Sequence, residues 1–201
     1  MKIFCKAVSY IFHPLFVPLA GTLVYFRITP KYSPFALQIA NILPIFILTI
    51  VIPIIAFLIL RNIGAVNTAF MPTITERKYP LYIHIILLLM IVYKVLPSSN
   101  NLELHFFFVG LILAAMTALV LLFFKFKTSL HLMGMGGLFM FLIGLSIHFE
   151  QNITLAISLL TAATGLVASS RLYLKAHSKA ELLIGFVVGL LSQLLLVKFW
   201  L

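Results

Sequence analysis

The chain has 201 residues, of which 63% are hydrophobic and only 9% charged; a soluble domain carries about 25% charged residues, so a water-soluble globular protein is excluded. The formal net charge is +10, from 14 lysines and arginines against four acids, all of them glutamates: Glu76, Glu103, Glu150 and Glu181. So few carboxylates argue against a Mg²⁺ or Ca²⁺ site, which needs clustered oxygen ligands, and the single cysteine, Cys5, can form no internal disulfide.

Apolar runs of spanning length fall at about 8–26, 41–60, 79–96, 104–124, 131–149, 153–173 and 182–200. They predict an all-α, polytopic transmembrane helix bundle of about six to seven spans, forming one integral membrane domain over residues 1–201. The basic start, MKIFCK, lacks a small-residue cleavage site and reads as the opening of the first span. His13, Pro14 and Pro18 make that span kinked or only partly inserted, and Pro44 and Pro53 bend the second. Pro80 falls in the first turn of the third span, where proline is tolerated. Thr128 or Ser129 caps the fifth. Gly134, Gly136 and Gly137, and the Gly185–Gly189 pair in the last span, read as close helix packing. Tyr79, Tyr82, Tyr93 and Trp200 fit aromatic belts, and His13, His84, His105 and His148 read as helix-packing or interfacial histidines.

If each run crosses once, the pieces 61–78, 125–130 and 171–181 share one face. RITPKYSP, PSSNNLE and EQN share the other. The first face gathers the chain's reactive side chains. Cations there outnumber those opposite. Setting aside Arg77, Lys78, Lys127, Arg171 and Lys175 as substrate ligands leaves five against four, and the positive-inside rule then sets no orientation.

Three stretches on that face carry chemistry. In SSRLYLKAHSKAE, Ser170 and Arg171 precede His177 by seven and six residues, and Glu181 follows four later. If 171–181 is helical, the Glu181 carboxylate touches the imidazole one turn away, fixes its tautomer and raises its basicity, as a histidine nucleophile or base requires. Arg171 supplies a planar fork matched to phosphate oxygens. In KTSLHLMGMGG, Lys127, Ser129 and His131 sit at a helix N-terminus, whose free N–H groups and dipole suit an anion. In TERKYP, Arg77 and Lys78 open the third span and supply a second clamp for a phosphate.

Together these residues resemble the type 2 phosphatidic-acid phosphatase superfamily, also called acid-phosphatase/vanadium-haloperoxidase-like, which is marked by K-x6-R-P, P-S-G-H and S-R-x5-H-x3-D. Ser170, Arg171 and His177 match the third motif, with Glu181 in place of its aspartate. Ser129 and His131 match the second, with Thr128 and Leu130 replacing its proline and glycine. Arg77 stands for the arginine of the first, Lys78 follows where proline is expected, and Phe70 occupies the lysine position, so Lys78 or Lys127 is expected to replace the lost lysine. These motifs lie within residues 77–181.

The resemblance implies a membrane lipid phosphatase working through a phosphohistidine, without metal or other cofactor. His177 attacks phosphorus, Glu181 orients it and His131 protonates the leaving oxygen. Arg77, Arg171 and Ser129 hold the phosphate oxygens, with Lys78, Lys127 and Ser170 beside them. The expected partners are a lipid phosphate or diphosphate substrate and membrane lipids, with no nucleic acid, and the expected location is a bacterial inner membrane. Two rivals stand beside it: a small lipid or anion transporter or scramblase, with ionisable groups at span centres, and a non-catalytic membrane protein with a degenerate site.

Overall fold

A computed structural model describes residues 1–68, 73–97 and 101–201. Phe70, at the position of the missing first-motif lysine, lies outside them. Among the described residues, seven helical segments are long and apolar enough to cross a membrane, as expected for an all-α multi-pass membrane protein.

The first segment is broken. α1 (Lys2–Ile11) ends before His13, a 3₁₀ turn spans Pro14–Phe16, and α2 (Val17–Ile28) continues across. Proline forces the residue ahead of it out of the helical region, and His13 is extended, with φ −64° and ψ 139°. The second segment is α3 (Phe35–Phe46) joined to α4 (Ile52–Asn62) through a π-helical turn at Ile47–Val51. Pro53 just beyond has no N–H to offer a carbonyl one turn back, a common cause of such turns.

The third segment, α5 (Ile74–Met90), ends in a π-helical turn at Ile91–Val95. It begins earlier than the apolar run suggests. Thr73 caps it by accepting the Glu76 N–H at 3.3 Å, so Glu76, Arg77 and Lys78 are helical and Pro80 falls in the second turn. The T-x-x-E spacing of Thr73 and Glu76 is the sequence signal for that start.

The remaining spans are α6 (Leu102–Phe123), α7 (Leu130–His148), α8 (Thr154–Tyr173) and α9 (Lys179–Val197). α7 is buried on most of its circumference and packs most closely on α9. Its glycines permit this: a Cβ on Gly136 would overlap the Phe186 carbonyl, and one on Gly189 would overlap that of Met133. Small residues let membrane helices approach to backbone contact where apolar side chains gain nothing by leaving lipid. The core beside them holds Phe107, Phe108, Phe141 and Leu145. Trp200 joins this core at 4% exposed, edge-on to Phe141 and His148, and is therefore no belt residue.

Glu103 ties the face away from the motifs together. It is 2% exposed, pairs with Lys31 and His148, and accepts the Tyr25 hydroxyl at 3.0 Å. His105 Nδ1 lies 2.6 Å from the Leu96 carbonyl. His105 and His148 thus do the structural work expected of them.

Candidate functional site

The motif face is assembled from helix ends. α8 closes with Lys175 in the left-handed region (φ 51°), its N–H on Leu172 O and the Ala176 N–H on Arg171 O. This C-terminal motif turns the chain so that His177 follows Arg171 back toward the bundle. Residues 174–178 are therefore not helical, contrary to the sequence expectation. His177 still meets Glu181 by another route. Ser178 caps α9, and the Glu181 side chain folds back in a capping box, accepting the Ser178 N–H at 3.1 Å and meeting His177 Nδ1 at 2.8 Å. The helix start thus supplies the orienting carboxylate.

Ser129 caps α7, its Oγ accepting the Leu132 N–H, and its own N–H donates to Glu181 O at 3.1 Å. That bond locks the start of α7 to the first turn of α9, where Gly185 leaves room for the Ser129 backbone. His131 lies two residues inside. Its Nε2 is 3.0 Å from Ser9 O, so that nitrogen carries a proton and Nδ1 is left for other partners.

These ends surround a cavity of about 530 Å³, within the range of small-molecule sites. Arg77, Arg171, His131 and His177 all line it. Arg77 reaches it from α5 along with Leu81 and His84, at the i, i+4, i+7 positions of one helix face. The other walls are mostly apolar and include Phe57 and Leu60. Phe16 and Ile54, 42% and 48% exposed, also line the cavity, so it opens sideways between the helix break and α4.

The polar end is strongly cationic. Arg171 is 3% exposed, pairs with no carboxylate among the described residues, and its Nε has no hydrogen-bond partner. A buried guanidinium without a counter-charge is costly, and an anion in the cavity would offset that cost. Arg77 Nη1 donates to Thr128 O at 3.4 Å. Burial, and then the Arg77 and Arg171 charges against the support of Glu181, push the His177 imidazole down to about 4. With Nδ1–H held on the carboxylate, its Nε2 keeps a free electron pair. Burial and then the Arg77 charge also pull the Lys127 ammonium below its ordinary range.

The other sequence candidates stand outside the cavity lining. Ser129 Oγ is spent on the helix cap. Ser170 is buried beside Arg171 without lining the cavity. Lys127 feels the charges of Arg77, Glu181 and Arg171 from just outside. Lys78 lies 4.8 Å from the Phe123 ring centroid, turned onto that aromatic. Of the two lysines, Lys127 is the one that feels the charges of Arg77 and Arg171.

Two further lining residues are His13 and His84, which the sequence presents as helix-packing or interfacial histidines. His13 sits in the helix break with its ring centroid 5.4 Å from that of His131, edge to face. The His-Pro pair inside an apolar run, which forces an extended residue, was the available signal. His84 was legible only through its seven-residue spacing from Arg77. Among the described residues, no three His, Cys, Asp or Glu side chains gather to hold a metal ion. Comparison with protein-family models, curated proteins and solved structures gave no match to the chain.

Proposed function

We propose that this chain is a membrane-embedded lipid phosphatase that hydrolyses a lipid phosphate or diphosphate through a phosphohistidine on His177. Arg171 supports this most directly: it is a buried guanidinium with an unpartnered Nε, on one cavity with an imidazole whose Nδ1 is held by a carboxylate. A pocket so built stabilises an anion and presents a nucleophile to it. Positioning and electrostatic clamping are most of what phosphoryl transfer requires.

In this scheme Arg77 and Arg171 hold the phosphoryl oxygens and His177 Nε2 attacks phosphorus. Glu181 fixes the tautomer and steadies the positive ring that forms. His131, anchored through Nε2–H to Ser9 O, serves as the acid in its doubly protonated form, whose Nδ1–H passes to the leaving oxygen. The lipid chain enters through the lateral opening lined by Phe16 and Ile54. No step requires a metal, and the resemblance to the phosphatidic-acid phosphatase superfamily assigns the same roles and a bacterial inner membrane. A transporter would place its ionisable groups at span centres. Here the two guanidiniums lie at span ends, Arg77 in the first turn of α5 and Arg171 in the last turn of α8, and of the cavity's imidazoles only His13 and His84 lie mid-span.

The test is phosphate release from lipid phosphates by purified protein in EDTA. Turnover should persist, and His177→Ala should remove it by roughly a thousandfold or more. Full activity in that variant would end the proposal.

A further inference from the structure

The backbone holds the His13 imidazole neutral. Its Nδ1 accepts the Leu15 N–H at 3.3 Å, so the ring is neutral and its proton sits on Nε2. Nε2 has no hydrogen-bond partner among the described residues. Such a ring donates a hydrogen bond but has no proton to give up, because losing Nε2–H would leave both nitrogens bare.

That distinction separates two kinds of leaving group. Cleaving a lipid monophosphate expels an alkoxide, which has to be protonated. Cleaving a lipid diphosphate expels a phosphate monoester, whose second pKa is about 6. It leaves as a dianion and needs only hydrogen-bond donors. In the proposed scheme the outer phosphoryl group already has Arg77 and Arg171, and His131 serves its leaving oxygen. A second imidazole of fixed neutral charge, edge-on to His131 at 5.4 Å and lining the same cavity, adds a donor beside it. Among the described residues the cavity walls include the apolar side chains of Leu15, Phe16 and Phe57.

Resting on the phosphatase reading, we infer that the cavity is built for a diphosphate attached directly to a hydrocarbon chain, with His13 Nε2–H bound to the inner, departing phosphate. The step balances without proton transfer. A bond forms between His177 Nε2 and the outer phosphorus, and the bond from that phosphorus to the bridging oxygen breaks. The bridging oxygen keeps the electron pair and leaves on the lipid monophosphate. Water then attacks the phosphohistidine, the P–N bond returns its electrons to Nε2, and both water protons end on the released phosphate.

The test compares farnesyl diphosphate with farnesyl monophosphate as substrates of the full chain in detergent. Wild type should prefer the diphosphate in kcat/KM. His13→Leu should lower the diphosphate-to-monophosphate ratio by roughly ten- to hundredfold, the worth of one hydrogen bond to a charged group. His13→Gln, which restores a donor near the Nε2 position, should recover much of that ratio. A wild-type enzyme that favours the monophosphate, or a His13→Leu ratio unchanged from wild type, would overturn the inference while leaving the phosphatase intact. Absence of turnover on both substrates would overturn the inference, and the phosphatase reading falls with it where the wild type also releases no phosphate from other lipid phosphates in EDTA. The wild-type preference needs no variant to fold.

Discussion

His177 and Glu181 meet at 2.8 Å although no helix joins them. His177 precedes the N-cap of α9 and Glu181 is its third helical residue, so one carboxylate closes the helix start and holds the imidazole.

This arrangement fixes how His177 titrates. Burial and two guanidiniums push its imidazole down to about 4, while Glu181 pushes it upward. An unperturbed histidine titrates near 6.5, so the ring stays neutral, with Nε2 free, well below that pH. NMR of imidazole-labelled protein, assigned with His177→Gln, should give a midpoint clearly below 6.5. In Glu181→Gln the upward contribution is lost, so the midpoint falls further. Activity drops roughly ten- to hundredfold with loss of the charged hydrogen bond. A midpoint at or above 6.5 in wild type would contradict this electrostatic picture.

Arg171 should serve function at the expense of stability. Its guanidinium is 3% exposed with Nε unpartnered, so removing the charge relieves a desolvation cost. Arg171→Gln should melt no lower than wild type in phosphate-free detergent, yet lose roughly a hundred- to thousandfold in kcat/KM. Orthovanadate should raise the melting temperature of wild type through binding linkage and leave the variant unmoved. A steep drop in melting temperature would instead make Arg171 a structural residue.

The α7–α9 contact should tolerate no added carbon. A Cβ at Gly189 would meet the Met133 carbonyl, and helix backbones cannot yield as side-chain tips do. Gly189→Ala should cost about 1–3 kcal/mol from overpacking. It should also lower activity, because the Ser129–Glu181 backbone bond sets the register of the site. Gly165 on α8 has nothing within 4 Å of an added Cβ, so Gly165→Ala should be neutral or stabilising through helix propensity. Equal melting temperatures for the two variants would contradict the packing assigned to α7 and α9.

Glu103 gives a control away from the cavity. It binds Lys31, His148 and Tyr25 while 2% exposed. Glu103→Gln should cost about 1–3 kcal/mol of stability, read as a lower melting temperature, with kcat/KM unchanged below the transition. A loss of turnover at low temperature would show that this face communicates with the site.

The bundle was legible because composition alone rules out water as the solvent for most of this surface. The glycine contacts were legible because small residues at helical spacing have few other uses in lipid. Local geometry was harder. α5 starts at Ile74 because a Thr73 cap recruits polar residues into the helix, a signal that hydropathy does not weigh. The His177–Glu181 contact was foreseen from helical spacing and is made by a capping box instead. His13 and His84 were hidden because an imidazole in an apolar run reads as packing until the fold opens a cavity against it. Adjacent cations on a helix point to different sides: Arg77 lines the cavity and Lys78 lies over the Phe123 ring, a difference that sequence alone does not give.

The covalent step is the centre of the account, and it is most directly measured by rapid alkaline quench of enzyme turning over a ³²P-labelled lipid phosphate, followed by peptide mapping. Label that survives alkali, is lost in acid and sits on the peptide containing His177 is the predicted result, absent from His177→Asn. Label on any other residue, or turnover in His177→Asn at the wild-type rate, would contradict it.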